Sequence, residues 1–424
     1  MRATKDSGFE WIGDIPCYWK IDKLKYHLRR NEPRNPGDVV VLSLYRELGV
    51  IPKDSRDDNH NVTSEDTSKY KYVRPGDFVI NKMKAWQGSV AVSEYEGIVS
   101  PAYFVYEFTD DTIFKRYFHY LLRSCYKDEF MRLSGGIRVG QWDLPADALE
   151  NTSILIPPMD EQCRIADFLD TKCAEIDALV ADIQTQIDTL EQYKRSIITE
   201  TVTKGLNPNA EMKDSGIQWV GNMPSSWSVL KGKYMFAQRS LRGNSIELQL
   251  LSPTQKFGVI PQTRYEELSG MNAVKLNEKA DLSLFKTIHK GDFCISLRSF
   301  QGGFEYSEYE GVVSPAYQVF YPTVKIADGY YRYLFKEQGF IEKMNSYTMT
   351  LRDGKNIAFS DFGNTYIPYP PLTEQSEIAA YLNSKCAQIN ALITEKQQQL
   401  ATLDEYKKSL IFEYVTGKKE VPLS

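Results

Sequence analysis

The stretch SEYEGIVSPAY at residues 93–103 returns as SEYEGVVSPAY at residues 307–317, with ten of eleven residues identical. The similarity extends to both sides: KDSGFEWIGDIPCYW (5–19) matches KDSGIQWVGNMPSSW (213–227), GDFVI (76–80) matches GDFCI (291–295), and PPMDEQCRIADFL (157–169) matches PPLTEQSEIAAYL (370–382). Similarity at one long period indicates copies of a single structural unit. The 424 residues therefore form two tandem copies.

The two copies diverge in one internal region. Residues 28–70 hardly match residues 236–285, although the segments on either side of them match. This pattern predicts one structural unit that occurs twice and recognises a different target in each copy.

The composition excludes several classes of protein. No run of 18 apolar residues exists, and the N-terminus lacks the apolar core of a secretory signal, so we expect a cytoplasmic protein. The six cysteines form no CxxC pair and the four histidines are scattered, so the sequence predicts no metal site.

Charge is distributed unevenly along the chain. The net charge of −5 argues against general binding of nucleic acid. However, residues 231–244 hold four basic residues and no acidic one, and residues 20–34 hold six basic residues against two acidic ones. Such patches are able to contact phosphates even in an acidic chain.

The front part of each copy predicts mixed strand and helix. Short β-branched runs at 39–44, 77–80 and 99–108 favour strands. The spacing of Phe114, Phe118, Leu121, Leu122 and Phe130 predicts one helix over 113–133.

The back part of each copy predicts a long helix with a coiled-coil seam. Asp160 and Thr373, just after Pro-Pro, are predicted N-caps. The 44 residues from 161 to 204 make a helix of roughly 65 Å. Apolar residues at heptad spacing predict helix–helix packing by Leu169, Ile176, Val180, Ile183, Ile187 and Leu190 in the first helix and Leu382, Ile389, Ile393, Leu400 and Leu403 in the second.

The order of these parts predicts the topology. The first helix delivers the chain to the second front domain, so the second helix must return along the first and pack antiparallel to it. Residues 1–19 should then lie beside the end of the second helix. We predict an α+β protein with pseudo-two-fold symmetry, in which two mixed α/β domains are separated by two long antiparallel coiled-coil helices. The predicted boundaries are 1–158, 159–206, 207–371 and 372–424 for domain, helix, domain and helix.

The paired PPMDEQ and PPLTEQ helix starts, together with the GDF and SPAY segments before each of them, resemble the specificity (S) subunit of type I restriction-modification enzymes. This resemblance covers essentially the whole chain. It implies two target recognition domains, each reading one half of an asymmetric bipartite site in double-stranded DNA. It also implies helices that dock two adenine methyltransferase (M) subunits, joined by restriction/translocase (R) subunits in phage defence.

The chain itself is predicted to be non-catalytic. Adenine methylases carry an Asn/Asp-Pro-Pro-aromatic signature, but Ile156 and Tyr369 precede the two Pro-Pro pairs here. No G-x-x-x-x-G-K-[ST] phosphate loop occurs. We therefore expect this chain to hold no cofactor, and expect S-adenosylmethionine, ATP and Mg in the partner subunits.

Candidate DNA contacts follow from the polar segments that differ between the copies, because bases are read in the major groove by Arg, Lys, Asn or Gln. These segments are 81–88 with 296–302, the loops 135–143 with 351–359, and the basic patch 231–244. The predicted residues are Lys82, Lys84, Gln87, Arg138, Gln141, Lys231, Lys233, Arg239, Arg242, Arg298, Ser299, Gln301, Arg352, Lys355 and Asn356. A surface without function is the alternative for each segment.

Other functions are compatible with the sequence. One alternative is a stand-alone regulator that binds a split DNA site, and another is a coiled-coil scaffold that does not bind DNA. The specificity subunit of a related methylation-only or phage-defence system is a third, because the difference from type I lies in the neighbouring subunits.

Overall fold

Each copy of the repeat folds into the same series of small antiparallel sheets. The structure is a computed structural model, and it describes residues 2–37, 39–46, 48–55, 63, 66–136, 142–242, 249–270, 282–295, 303–347 and 357–422. Contacts between Cα atoms divide the chain into unit 1, Met1–Ile183 with Gln398–Ser424, and unit 2, Gln184–Gln397. Each unit thus combines one front domain with part of both long helices.

Unit 1 contains twelve of the strands that the described residues form. They are β1 (Thr4–Asp6), β2 (Asp14–Pro16), β3 (Lys20–Lys23), β4 (Leu28–Arg30), β5 (Leu42–Tyr45), β6 (Gly49–Pro52), β7 (Lys71–Val73), β8 (Phe78–Asn81), β9 (Val90–Val92), β10 (Gly97–Val99), β11 (Tyr103–Phe108) and β12 (Ser153–Ile156). Its helices are α1 (Lys115–Cys125), α2 (Lys127–Leu133), α3 (Ala146–Glu150) and the start of α4 (Met159–Lys204).

Unit 2 repeats these strands in the same order. They are β13 (Met212–Asp214), β14 (Asn222–Pro224), β15 (Ser228–Lys231), β16 (Phe236–Arg239), β17 (Leu251–Thr254), β18 (Gly258–Pro261), β19 (Lys286–Ile288), β20 (Phe293–Ile295), β21 (Phe304–Tyr306), β22 (Gly311–Val313), β23 (Gln318–Pro322) and β24 (Tyr366–Tyr369). Its helices are the end of α4, α5 (Gly232–Met235), α6 (Gln262–Ser269), α7 (Asp328–Leu334), α8 (Gln338–Ser346), α9 (Phe359–Asn364) and the start of α10 (Leu372–Val415), whose end belongs to unit 1.

The central four-stranded sheet separates two hydrophobic cores in each unit. Its strand order is β4-β11-β8-β9 in unit 1 and β16-β23-β20-β21 in unit 2. Successive side chains of a strand face opposite sides. Accordingly, Phe78 and Ile80 belong to the larger core with the helices, and Val79 belongs to a smaller core with β5, β6 and β7.

The repeated stretch that opens the sequence is part of this framework. The buried Ser93 hydroxyl donates to the Tyr95 carbonyl at 2.8 Å, and the buried Ser307 hydroxyl donates to the Tyr309 carbonyl at 2.8 Å. These bonds fix the same turn in both units. The near-identity of the stretch therefore reflects a structural requirement of the framework.

The glycine within this stretch allows a second chain segment to approach closely. A Cβ atom at Gly97 would lie 2.4 Å from the Val40 carbonyl oxygen, and one at Gly311 would lie 2.3 Å from the Gln249 carbonyl oxygen. Both distances are far shorter than van der Waals contact, so only glycine fits.

We expect Gly97→Ala to destabilise unit 1 by about 1–3 kcal/mol, because the added methyl group forces the backbone at Val40 to move. The measurement is the denaturation midpoint of the full chain. Gly135→Ala is the matched control, because a Cβ there meets no heavy atom of the described residues within 4 Å. Equal midpoints for the two variants would contradict this account of the repeat.

Two predicted elements are each divided in the structure. The helix predicted over 113–133 is α1 and α2, which meet at Tyr126, where φ is −104° and ψ is 4°. The Tyr126 side chain is buried, and this backbone conformation ends the helical hydrogen-bond ladder. The strand predicted over 99–108 is β10 and β11, separated by a turn in which the Tyr103 amide donates to the Ser100 carbonyl at 3.0 Å.

The N-cap prediction was wrong by two residues in both helices. The helices begin at Met159 and Leu372, so Asp160 and Thr373 lie inside the first turn. Pro158 supplies the first helical carbonyl instead, accepting from the amides of Glu161 and Gln162. Asp160 forms an ion pair with Arg164 one turn further along.

The long helices pack antiparallel in both units, as predicted. In unit 1, the Phe168 ring lies 4.4 Å from the Tyr414 ring, and Lys407 Nζ lies 2.6 Å from Asp177 Oδ1. Sequence numbers therefore rise along α4 while they fall along α10. The predicted packing residues are either buried, as are Leu169, Ile176, Ile187, Leu382 and Ile389, or half-buried, as are Val180, Ile183, Leu190, Ile393, Leu400 and Leu403.

The N-terminal segment lies beside the end of α10, as the repeat predicted. Arg2 Nη2 lies 2.9 Å from Glu420 Oε1, and Lys418 Nζ donates to the Asp14 carbonyl at 2.6 Å. The predicted fold class is confirmed. None of the helices in the described part of the chain is both long and apolar enough to cross a membrane.

Candidate nucleic-acid interface

The segment that follows β8 carries three of the predicted DNA contacts. It forms a short 3-10 helix at Ala85–Gln87. Lys84 is exposed and makes no ion pair with any described residue, so its charge is available to a ligand. Lys82 differs, because its Nζ lies 2.9 Å from Asp143 Oδ2 and its charge is partly compensated.

Gln87 connects this segment to the region in which the copies diverge. Its Oε1 accepts a hydrogen bond from Arg46 Nη2 at 2.7 Å. Arg46 was absent from the predicted contacts, because nothing in the sequence brings residues 41 positions apart together. A cavity of about 370 Å³ lies beside Gln87, and its polar lining includes Ser43, Lys53, Asn81 and Lys84.

Two tryptophans at this place were also missed by the sequence analysis. The Trp86 and Trp142 rings are half-buried and pack edge to face with centroids 5.6 Å apart. The Trp86 indole N–H donates to the Met83 carbonyl at 3.1 Å. Their contact brings the segment 81–88 together with the end of the loop 135–143, which was the second predicted contact segment of unit 1.

The basic patch of unit 2 divides into exposed and engaged residues. Lys233 and Arg242 are exposed, and Lys231 is half-buried with its Nζ 5.1 Å from the centre of the Tyr366 ring. Arg239 instead donates from Nε and Nη2 to both carboxylate oxygens of Asp292, at 2.7 and 2.9 Å. Its DNA contact stays a prediction, but this geometry favours a structural role.

Eight predicted contacts lie outside the described residues. They are Arg138, Gln141, Arg298, Ser299, Gln301, Arg352, Lys355 and Asn356.

One pair of matched positions gives the two units different electrostatics. In unit 1, Glu32 accepts from Arg30 at 2.9 Å and from Lys71 at 2.8 Å. Burial raises the pKa of the Glu32 carboxyl, but the hydrogen bonds from these two cations outweigh burial and leave the pKa lowered. The single Glu32 carboxylate thus compensates one of the two positive charges.

Unit 2 has no carboxylate at the matched position, which Ser240 occupies. The backbone bridge Arg34–Lys71 corresponds to Arg242–Lys286, and this register aligns Ser240 with Glu32. Lys286 Nζ donates to the Tyr317 carbonyl at 2.6 Å. Burial, and then the nearby Arg242 charge, lower the pKa of Lys286. Two adjacent cations without a carboxylate among the described residues are suited to a phosphate group.

The glutamates of the PPMDEQ and PPLTEQ motifs hold a tryptophan against the start of each long helix. The Trp19 indole N–H donates to Glu161 Oε2 at 3.1 Å, and the Trp227 indole N–H donates to Glu374 Oε2 at 2.8 Å. Both indoles are fully buried. Trp19 and Trp227 therefore anchor the front domains, and their burial leaves no ring face free to stack on bases.

The glutamines of the same motifs hold the front domain to the helix by backbone contacts. Gln162 Oε1 accepts from the Phe114 amide at 2.8 Å, and Gln375 Oε1 accepts from the Ala327 amide at 2.9 Å. In each case the side-chain amide donates to the carbonyl of the first proline of the motif. Each front domain is thus fixed to its helix through buried polar groups.

This combination of fold and motif matches one known family. The model of the type I restriction modification DNA specificity domain matches residues 25–189 and again residues 243–402, which together are most of the chain. The chain belongs to this family. The two matches correspond to the two copies of the repeat, and each includes most of a front domain and most of the following helix.

Two members of the family are distant in sequence but align over nearly the whole chain. The putative type I restriction enzyme MjaX specificity subunit of Methanocaldococcus jannaschii is 23% identical, and the alignment covers 99% of each chain. The MjaVIII specificity subunit of the same organism is 26% identical over 99% of this chain and 98% of that one.

Solved structures share the fold. A chain from a study of complex assembly and conformational transition of the type I R-M system has a TM-score of 0.68, with 16% identity over 96% of this chain and 99% of that one. The HsdS subunit from Thermoanaerobacter tengcongensis has a TM-score of 0.52, with 16% identity over 98% of this chain and all of that one.

Proposed function

We propose that this chain is the sequence-recognition subunit of a type I restriction-modification complex and that each unit binds one half of an asymmetric bipartite DNA site. The observation that carries this proposal is the shared framework with divergent polar surfaces. Two similar units suit the two half-sites of a duplex, and different side chains at matched positions suit different half-site sequences.

In this proposal, different residues contact the bases and the phosphate backbone of the DNA. Phosphate contacts position a protein on the duplex, and base contacts specify sequence. Lys84, Arg242 and Lys286 pair with no carboxylate of the described part of the chain and are suited to phosphates. The segment that contains Gln87 is suited to base edges, because it is polar and differs between the copies.

The chemistry belongs to partner subunits in this proposal. The long helices would dock two adenine methyltransferase subunits, which use S-adenosylmethionine. Restriction subunits that use ATP and Mg would join them. The exposed helix residues Leu179, Tyr193, Leu392 and Tyr406 provide apolar contact area for such partners.

The test is methylation mapping. This chain is co-expressed with its adenine methyltransferase subunit in a host cell whose DNA carries no methylation, and modified bases are mapped across the host genome. We expect a single split motif with one modified adenine in each half and a constant gap. The methyltransferase subunit alone is the control and should give no motif.

Two outcomes would favour the alternatives. If the methyltransferase binds this chain but adds no methyl groups, a non-DNA scaffold or a stand-alone regulator becomes the better interpretation. Those two are separated by salt-dependent binding of duplex DNA, which only the regulator should show.

A further inference from the structure

The hairpin β5–β6 of unit 1 and the hairpin β17–β18 of unit 2 are the same element with different loops. Tyr45 pairs with Gly49, and Thr254 pairs with Gly258, so both loops have the same length. Both hairpins lie in the region where the two copies diverge. They therefore present different residues from one framework.

The first loop residue is Arg46 in unit 1 and Gln255 in unit 2. The correspondence rests on structure, because the residues before each hairpin bridge the repeated stretch in the same way, Val41 to Ile98 and Leu250 to Val312. Arg46 and Gln255 are both exposed. A position that is matched in the framework and different in chemistry is the kind that distinguishes two targets.

Arg46 lies against the segment already considered for DNA contact. Its Nη2 donates to Gln87 Oε1 at 2.7 Å, and Gln87 borders the cavity that Lys84 and Asn81 also line. The Arg123 guanidinium donates to the Arg46 carbonyl and so fixes the backbone at this point. The hairpin and the segment 81–88 therefore form one surface.

Arg46 forms no ion pair with a carboxylate of the described residues, so its charge is available to a ligand. Other arginines of unit 1 pair with carboxylates, for example Arg29 with Glu107 and Arg132 with Glu129. Arg46 instead meets a neutral amide, which orients the guanidinium without cancelling its charge. A guanidinium has five N–H donors, so one bond to Gln87 leaves enough donors for a bidentate contact.

Arginine and glutamine read different bases. Arginine donates two hydrogen bonds to O6 and N7 of guanine, and glutamine pairs with N6 and N7 of adenine. We infer that Arg46 reads a guanine in the half-site of unit 1, that Gln87 positions its guanidinium, and that Gln255 reads an adenine at the matched place in the other half-site. This inference rests on the proposed function.

The test compares methylation maps of the complex with wild-type chain, Arg46→Gln and Gln255→Arg. We expect Arg46→Gln to reduce methylation of the original motif by about 5- to 150-fold. At one position of one half-site, the variant should prefer adenine to guanine or accept both bases. Gln255→Arg should change one adenine to guanine in the other half-site only. Arg132→Gln, which also removes an exposed arginine of unit 1, should leave the motif unchanged.

The positioning role of Gln87 is tested with separate variants. Gln87→Ala should weaken the preference for the same guanine that Arg46→Gln affects, and the melting temperature of the chain should be unchanged. Gln87→Glu keeps the acceptor for Arg46 but compensates its charge, so it should retain the preference for that guanine while lowering the level of methylation. A loss that is confined to thermal stability would contradict the positioning role.

Several results would overturn the inference without touching the proposed function. These are an unchanged motif with Arg46→Gln, a change in both half-sites, or a wild-type half-site without guanine. If the complex with Arg46→Gln methylates no DNA, its binding is measured to duplexes in which each guanine of the motif is replaced in turn. If the variant loses affinity at every guanine at which the wild type does, the inference is overturned. Absence of any motif from the wild-type complex would instead overturn the proposed function.

Discussion

Arg239→Ala is expected to destabilise unit 2 by about 3–5 kcal/mol, because it leaves a buried carboxylate without its charged partner. Asp292 is 3% exposed, and both of its oxygens accept from the Arg239 guanidinium. The Arg239 guanidinium also lies 4.5 Å from the centre of the Tyr321 ring, so packing is lost together with charge. Hydrogen exchange of the β16 and β20 amides measures the effect, with β4 and β8 of unit 1 as an internal reference.

Two further variants separate a structural role of Arg239 from a DNA contact. Arg239→Ala combined with Asp292→Asn should recover part of the lost stability, because the asparagine carries no charge that needs compensation. Arg242→Ala removes an exposed neighbour and should change stability by less than about 0.5 kcal/mol while weakening DNA binding. Unchanged exchange with Arg239→Ala, together with weakened DNA binding, would show instead that Arg239 holds phosphate.

The long-range architecture was predictable because the repeat carries it. Once two copies are recognised, the antiparallel pairing of α4 and α10 follows from the chain order. The position of residues 1–19 beside the end of α10 follows in the same way. The heptad residues could be identified for the same reason, since a period of seven residues is visible within a single segment.

The local breaks and the site were less predictable for a physical reason. Whether the helix predicted over 113–133 continues past Tyr126 depends on the burial of that ring, which tertiary packing decides. The contact between Arg46 and Gln87 and the exchange of Glu32 for Ser240 depend on strand register in the region where the copies do not align. Residues there can be matched between the copies only when the shared frameworks of the two units are superimposed.

A buried glutamate gives unit 2 a second property that unit 1 does not share. Glu305 is 1% exposed in β21, at the place that Ala91 occupies in β9 of unit 1. Its Oε1 lies 2.5 Å from Lys336 Nζ, and its buried Oε2 has no hydrogen-bond partner among the described residues. Burial raises the pKa of Glu305 to about 7, and the Lys336 charge offsets burial only in part.

The raised pKa makes the stability of unit 2 depend on pH. Between pH 4.5 and about 7, the folded chain holds a proton on Glu305 that the unfolded chain has released. This contribution to stability is therefore complete below pH 4.5 and is lost as the pH rises through about 7. One pKa unit corresponds to about 1.4 kcal/mol, so the contribution is about 3 kcal/mol in full.

Glu305→Gln should remove this dependence, because the amide does not titrate. We expect the free energy of unfolding of the variant, relative to wild type, to rise by about 2–3 kcal/mol between pH 5 and pH 8. Denaturant unfolding of unit 2 at a series of pH values measures the difference. Glu267→Gln, which removes an exposed carboxylate of the same unit, is the matched control variant. A constant difference for Glu305→Gln would mean that Lys336 keeps the Glu305 carboxyl ionised throughout this range.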